Sequence, residues 1–279
     1  MELSPLILKW LTFLLRWGHV FFAITWIGNS YLFNYLDNKL KKNLENKEVE
    51  AEGILQHSGY YYKLTRFHGV PKEVPKNLII FKWQSYLTFF TGILLLIIIY
   101  YANAKILMMD SRVNANITPL MGIGISILSI IGSWKIYDLL CKSKLINNKI
   151  IFPTILLIIG AVISFALTKI FGARFAFLSV GVALGCIMFF NVFFVIVPNG
   201  KNITSSALKK KDFDVDLSNR AKTRSVHNNI ITFLVLFIML SGHASFIWAS
   251  QYNWIILILI AAILGFVRHY FNLRAKKII

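Results

Sequence analysis

The chain has 279 residues, of which 57% are hydrophobic and only 15% charged, and a net charge of +18. Soluble domains sit near half apolar and a quarter charged, so the composition argues against a soluble enzyme and for a single integral membrane domain spanning 1–279. The positive excess reads as loop charge that orients a membrane protein and not as a nucleic-acid surface. The two cysteines, Cys141 and Cys186, lie outside any CxxC or CxxCH run, which excludes a covalent c-type haem within this chain.

Seven apolar stretches near the ~20 residues needed to cross a bilayer are expected at 6–33, 83–102, 119–141, 150–168, 174–197, 228–248 and 252–271. The fold class is therefore all-α, a polytopic membrane bundle of about seven transmembrane helices. The first stretch is too long for a signal-peptide core and lacks a small-x-small cleavage site, so it is expected to be retained. It contains RWGHVFFAITWIG; along this helix Arg16, His19, Trp26 and Ser30 share one narrow stripe, joined by Asp37 if the helix continues. Ionisable groups at bilayer depth are costly and mark candidate sites. The bland alternative is a structural histidine with Arg16 snorkelling outward.

Between the first two spans, 34–82 opens with DNKLKKNLENKEVEAEG, read as solvated helix or disorder, and continues into QHSGYYYKL, read as an element lying in the membrane interface. The 199–226 segment is read as a second basic loop, its Lys209-Lys210-Lys211 run an ordinary charge anchor. Of the 30 lysines and arginines, 23 fall on the side of these two loops and the C-terminus, against five on the other side. The positive-inside rule then places the N-terminus outside and the C-terminus in the cytoplasm. No internal repeat is visible, which weighs against many transporter folds.

The polar residues inside the spans form two sets. Towards the outer side stand His19 and, in SGHASF of the sixth span, His243 with small neighbours. Two imidazoles from facing helices at similar depth can hold a b-type haem, with Arg16 pairing a propionate. At the inner ends stand Lys82, Trp83 and Gln84, then Trp134, Lys135, Tyr137 and Asp138. Asn191, the His227-Asn228-Asn229 run, Arg268 and His269 complete the set. Interface anchoring explains Arg268 and much of the rest. Lys135 and Asp138, at i, i+3, are spaced to pair with each other. A cationic and amide-rich cluster also suits a planar, anionic, hydrogen-bonding substrate. Lys82, Trp83, Lys135, Asn191, Asn228 and Asn229 are the candidate binding groups, with Asp138 and His227 as candidate bases. Gly122, Ser126, Ser129, Ser133, Gly181 and Gly185 read as helix-packing positions.

Several strings occur together and in order: RWGHVFFAITWIGNSYLFNYLD, HSGYYYKL, the K-x-x-P region before FKWQSY, YYANAKILMMD, NVFFVIVPN, RSVHNNIITF, SGHASF and VRHYFN. They resemble the membrane domain of the bacterial cytochrome-c-linked urate oxidases, the urate hydroxylase N-terminal domain family. The resemblance implies a redox protein of purine catabolism in the bacterial inner membrane. It would oxidise urate to 5-hydroxyisourate and pass electrons to a cytochrome c, here expected to be a separate protein. The H-x6-W-x-G pattern also looks like that of membrane haem proteins that oxidise protoporphyrinogen, which supports His19 as a haem b ligand. Three positions depart from the family pattern: Ser58 stands in Ser58-Gly59 where Gly-Gly is usual, Ile79 where a His is usual and Gln84 where a Glu is usual. The last two keep open a haem b oxidase or electron-transfer subunit for another substrate. A small-anion transporter is the alternative from a different class.

Overall fold

The computed structural model describes residues 4–45, 48–71, 78–209 and 214–277, with side chains to residue 271. Among them are seven helices long and apolar enough to cross a membrane: α1 (Pro5–Lys39), α2 (Trp83–Tyr101), α3 (Pro119–Lys142), α4 (Ile151–Thr168), α5 (Ala173–Leu208), α6 (Val215–Ser241) and α7 (Asn253–Phe271, helical on to Lys277). The chain is a multi-pass membrane protein built as a helical bundle. The end carrying 34–82 is called the basic end below.

Local chemistry sets the helix boundaries. Proline stands in the first turn of α1 and of α3, where its missing N–H costs nothing. Thr118 caps α3 by accepting from the Met121 amide, and Asp214 caps α6 by accepting from the Leu217 amide. At 35 residues, α1 is about 50 Å long, well over the ~30 Å hydrocarbon core, so its last turns project beyond the bilayer.

α5 is the hub, packed against α2, α3, α4, α6 and α7. The core follows it, with Phe171, Phe175, Ala176, Phe177, Val180 and Cys186 buried against Leu96, Ile130, Ile238 and Leu257. Gly181 lets α6 approach: a Cβ there would lie 2.6 Å from Ile238 Cγ2. A Cβ at Gly122 would likewise lie 2.8 Å from the Met109 sulfur, and Ser126 bonds the Tyr101 hydroxyl at 3.0 Å. Gly185, grouped with them from sequence, meets nothing within 4 Å.

Near the basic end, α5 widens into a π-helical turn at Asn191–Ile196 before continuing as Val197–Leu208. Pro198 cannot donate to the carbonyl one turn back, and a π turn is a common way to absorb such a break. The extra residue per turn leaves Asn191 fully buried towards α3 and α6.

Two expectations are corrected. The described residues of 41–67 are neither solvated helix nor disorder. They form an antiparallel sheet of β1 (Lys41–Lys42), β2 (Val49–His57) and β3 (Tyr60–Phe67), in the order β1-β2-β3. β2 and β3 are joined by Ser58-Gly59, both at positive φ (51° and 83°), the two-residue hairpin geometry that matches strand twist. Alternation in VEAEGILQH and the β-forming YYYKLTRF carry this pattern, which the charged flank obscures. Arg66 of β3 bonds Glu50 and reaches the Asp37 carbonyl and carboxylate at the end of α1. Second, much of 199–226 is helical, because α5 and α6 run on past the apolar limits. Lys209 ends the extension of α5, whereas Lys210 and Lys211, like the K-x-x-P region at 72–75, lie outside the described residues.

Candidate functional site

Where α3, the π turn of α5 and α6 meet at the basic end, a hydrogen-bonded polar cluster replaces the apolar core. Arg224 of α6 is only 5% exposed. It donates to Asp138 Oδ1 at 2.6 Å and to Asn191 Oδ1 at 3.1 Å. Asn191 donates in turn to Asn228 Oδ1 at 2.8 Å and to the Tyr137 hydroxyl at 3.2 Å. Asn228 donates to the Met188 carbonyl at 2.9 Å, which the distorted helix leaves accessible. Every polar atom of the Asn191 side chain is thereby used, the condition for burying it.

The guanidinium also lies 4.9 Å from the Tyr137 ring centroid and 5.8 Å from that of Trp134. Cation–π contact favours such placement for a desolvated arginine. The Tyr137 hydroxyl and His227 Nδ1 are 2.8 Å apart. The phenol oxygen also accepts from Asn191, so the hydroxyl links the asparagine and the imidazole. Phe152 of α4 stacks on the His227 ring at 5.3 Å. Lys142 completes the cluster, pairing with Asp138 Oδ2 at 2.6 Å. Asp138 is therefore matched to Lys142 and Arg224 and not, as the i, i+3 spacing allows, to Lys135.

Of this cluster, Asp138, Lys142 and Arg224 form part of the wall of a cleft of about 1000 Å³, with Tyr137, Asn191, His227 and Asn228 behind them. Lys135, Lys142, Lys144, Arg220 and Arg224 line it against only Asp138 and Asp216, and Trp134, Phe190 and Phe194 supply flat aromatic surface. With α1 to α7 crossing a low-dielectric layer, this excess of positive charge favours an anion.

The inner set nominated from sequence does not stay together. Asp138, Asn191, His227 and Asn228 converge, with Lys135 on the rim. Asn229, next in the chain to Asn228, faces the other side of α6. There it donates to Ser30 Oγ at 3.2 Å and accepts from Arg268 at 2.6 Å. Arg268 also reaches Asn34 and covers the Tyr31 ring at 4.7 Å, so it ties α7 to α1 and α6 beyond a mere interface anchor. Lys82 lies over the exposed Trp83 ring at 5.4 Å, and neither borders the cleft. Ile79, 86% exposed, and Gln84 are also absent from its walls.

Sequence reasoning did not nominate Arg224, and it placed Tyr137 in the inner set without a binding or catalytic role. The available signal was helical spacing: Arg224, His227 and Asn228 lie at i, i+3, i+4, one face of a helix that begins before the apolar run does.

His19 has a different setting. Its Nδ1 lies 2.9 Å from the Thr88 carbonyl and 3.2 Å from Thr91 Oγ1, both on α2. Its ring fills the space beside Gly92, where a Cβ would come within 2.9 Å of Cε1. Anchoring Nδ1 to a carbonyl fixes the tautomer and ring plane and leaves Nε2 as the ligating atom, the usual arrangement of a metal-bound histidine. The position thus fits an axial haem ligand. His243 needs a correction: it is not on the sixth helix, which ends at Ser241, but exposed in the following turn. Glycine at 242 and the short polar residues around it stop the helix there. The Ser30–Asn229 bond and the Tyr31–Phe233 ring contact set the antiparallel register of α1 and α6. His19 lies about 16 Å further along from that level, and the same rise along α6 reaches Leu240. His243 therefore stands within about one turn of His19 in depth.

The family described as urate oxidase N-terminal matches residues 5–279. The chain belongs to this family. No curated protein and no solved structure matches it. Family membership covers both polar regions in one unit, the cleft at the basic end and the His19 position in the other half of α1.

Proposed function

We propose that the protein is a urate oxidase-like membrane oxidoreductase that binds urate, or a closely related planar anion, in the basic-end cleft. The observation that carries this reading is the buried Arg224 fork, held at Asp138 and Asn191, on the wall of a cationic cleft that contains flat aromatic surface. Urate is planar, anionic at neutral pH and edged with amide-like groups, which complement guanidinium, lysine and asparagine. Family membership points to the same substrate class.

Oxidising urate with water to 5-hydroxyisourate releases two electrons and two protons. Asp138, bonded by two cations, positions Arg224, while the Tyr137–His227 pair behind it offers a proton acceptor within hydrogen-bond reach of the cluster. His19 would hold haem b, with His243 as the candidate opposite ligand. The haem, when bound, supplies a one-electron centre between the cleft and an acceptor such as a separate cytochrome c. The orientation consistent with loop charge places the cleft in the cytoplasm and the acceptor outside a bacterial inner membrane.

Protein purified in lipid nanodiscs, given urate and oxidised cytochrome c, should consume urate and reduce the cytochrome. Arg224→Gln should lower that rate at least about tenfold. A haem-replete preparation in which urate reduces neither the haem nor any added acceptor would refute the proposal.

A further inference from the structure

A second cavity, of about 320 Å³, lies between α3, α4, α5, α6 and α7. Tyr137 of α3 and Pro153, in the first turn of α4, set it towards the basic end. Its walls are almost wholly aliphatic, from residues such as Leu156, Ala183, Ile187 and Leu234, with no charged group among them. A Cβ at Gly265, on the same wall, would meet nothing within 4 Å, so the space there is open. Ile136 and Phe266 at the edge are 40% and 71% exposed, and both stand on membrane-crossing helices, so the cavity opens to the acyl layer.

Two hydroxyl-bearing residues break this surface, Ser133 and Tyr137 of α3. Their i, i+4 spacing puts them one above the other on one helix face. Ser129 and Ser179 return their hydroxyls to carbonyls of their own helices, and Ser133 makes no such bond. Among the described residues its hydroxyl has no hydrogen-bond partner, although the residue is half-buried. The Tyr137 hydroxyl instead links Asn191 and His227. Neighbouring residues face the two spaces: Trp134 lines the cleft and Ser133 the cavity, while Phe152 stacks on His227 and Pro153 lines the cavity. Tyr137 is thus shared between the cavity wall and the polar cluster behind the cleft.

A lipid acyl chain would fill the apolar volume and leave the Ser133 donor unpaired. A benzoquinone ring is apolar on both faces and carries a carbonyl acceptor at each end, which matches an aliphatic pocket with a hydroxyl in its wall. We propose that this cavity binds the ring of a membrane benzoquinone, with Ser133 donating to one carbonyl and the isoprenoid tail leaving through the lipid-facing edge, and that this quinone accepts the electrons released in the cleft. The electron source rests on the urate reading above; the binding site does not. Urate and water give 5-hydroxyisourate, two electrons and two protons. The quinone takes both electrons and two protons, and its two carbonyls become hydroxyls. The Tyr137–His227 pair, at the boundary of the two spaces, is placed to pass a proton between them.

The full-length chain in phosphatidylcholine nanodiscs is photolabelled, without urate, by an azido-benzoquinone with a short alkyl tail. Label should fall on residues of the cavity wall and be competed by decylubiquinone. Ser133→Ala should raise the concentration for half-maximal labelling about fivefold, the loss of one hydrogen bond. Gly265→Leu, which fills the open space, should abolish labelling and leave urate-dependent reduction of cytochrome c unchanged. With urate and decylubiquinone as sole acceptor, wild type should form one quinol per urate consumed, and Gly265→Leu none. Label spread over lipid-facing residues and unchanged in both variants would overturn the site. Phospholipid that co-purifies with wild type, blocks the label and is lost from Gly265→Leu would assign the cavity to an acyl chain, which also overturns it. If urate reduces cytochrome c and not the quinone, the transfer falls and the urate reading stands. If urate reduces neither, both fall, while specific labelling still decides the binding site.

Discussion

Arg224 is the residue on which the basic-end cluster turns. It is the only described cation bonded to both Asp138 and Asn191. Arg224→Met would leave Asp138 matched by Lys142 alone and Asn191 with an unfilled acceptor. Breaking a buried pair by removing one partner costs about 3–5 kcal/mol, so a lower thermal midpoint in detergent is expected together with lost urate turnover. Arg224→Lys keeps the charge and cannot span both acceptors, so it should recover stability better than turnover. Tyr137→Phe is milder: it keeps the ring under the guanidinium and deletes the hydroxyl between Asn191 and His227. It should cost about 1–2 kcal/mol and slow turnover with little change in urate affinity, as expected if the hydroxyl moves a proton and does not anchor substrate. The Asp110–Arg112 pair, in the connection between α2 and α3, serves as a control. Arg112 donors hold the Asp110 carboxyl below its ordinary range, a contribution that is lost only as the pH falls through that lowered value. Asp110→Asn should therefore leave activity near neutral pH unchanged.

At the scale of elements, two glycines set how closely helices approach. Gly92→Ala would push a methyl group into the His19 ring and turn it off the Thr88 carbonyl. If His19 ligates haem, this variant should shift or abolish the haem spectrum while Gly124→Ala, with open space around it, does not. Gly181→Ala would drive α5 from Ile238 of α6, costing roughly 1–3 kcal/mol, whereas Gly185→Ala should be tolerated. Sequence placed both Gly181 and Gly185 among packing positions but could not rank them, because the ranking depends on which side chain faces each one across the interface. The same limit separates Asn228 from Asn229. Adjacent residues on a helix point about 100° apart, and only the positions of the neighbouring helices show that one bonds Asn191 and the other Arg268.

For the whole molecule, the loop charge predicts that a C-terminal reporter active only in the cytoplasm will report, and one active only in the periplasm will not. The opposite result would invert the orientation and place the cleft on the outer side.

The seven spans and the membrane class were legible from the sequence, because ~20-residue apolar runs admit few other folds and because every backbone group in lipid must be satisfied internally. The family strings and the outstanding polar residues His19, Asp138, Asn191 and His227 were legible too, since such groups are costly in an apolar run. Hydropathy hid the sheet at 41–67 and the helical extensions of α5 and α6, because it detects burial in lipid and neither is buried there. Arg224 was masked for the same reason, as it lies outside the apolar run that defines its span. Tertiary structure alone decided which polar groups meet. Their convergence depends on the π turn that aims Asn191 inward and on the register of α3, α5 and α6, relations between distant segments that no local pattern encodes.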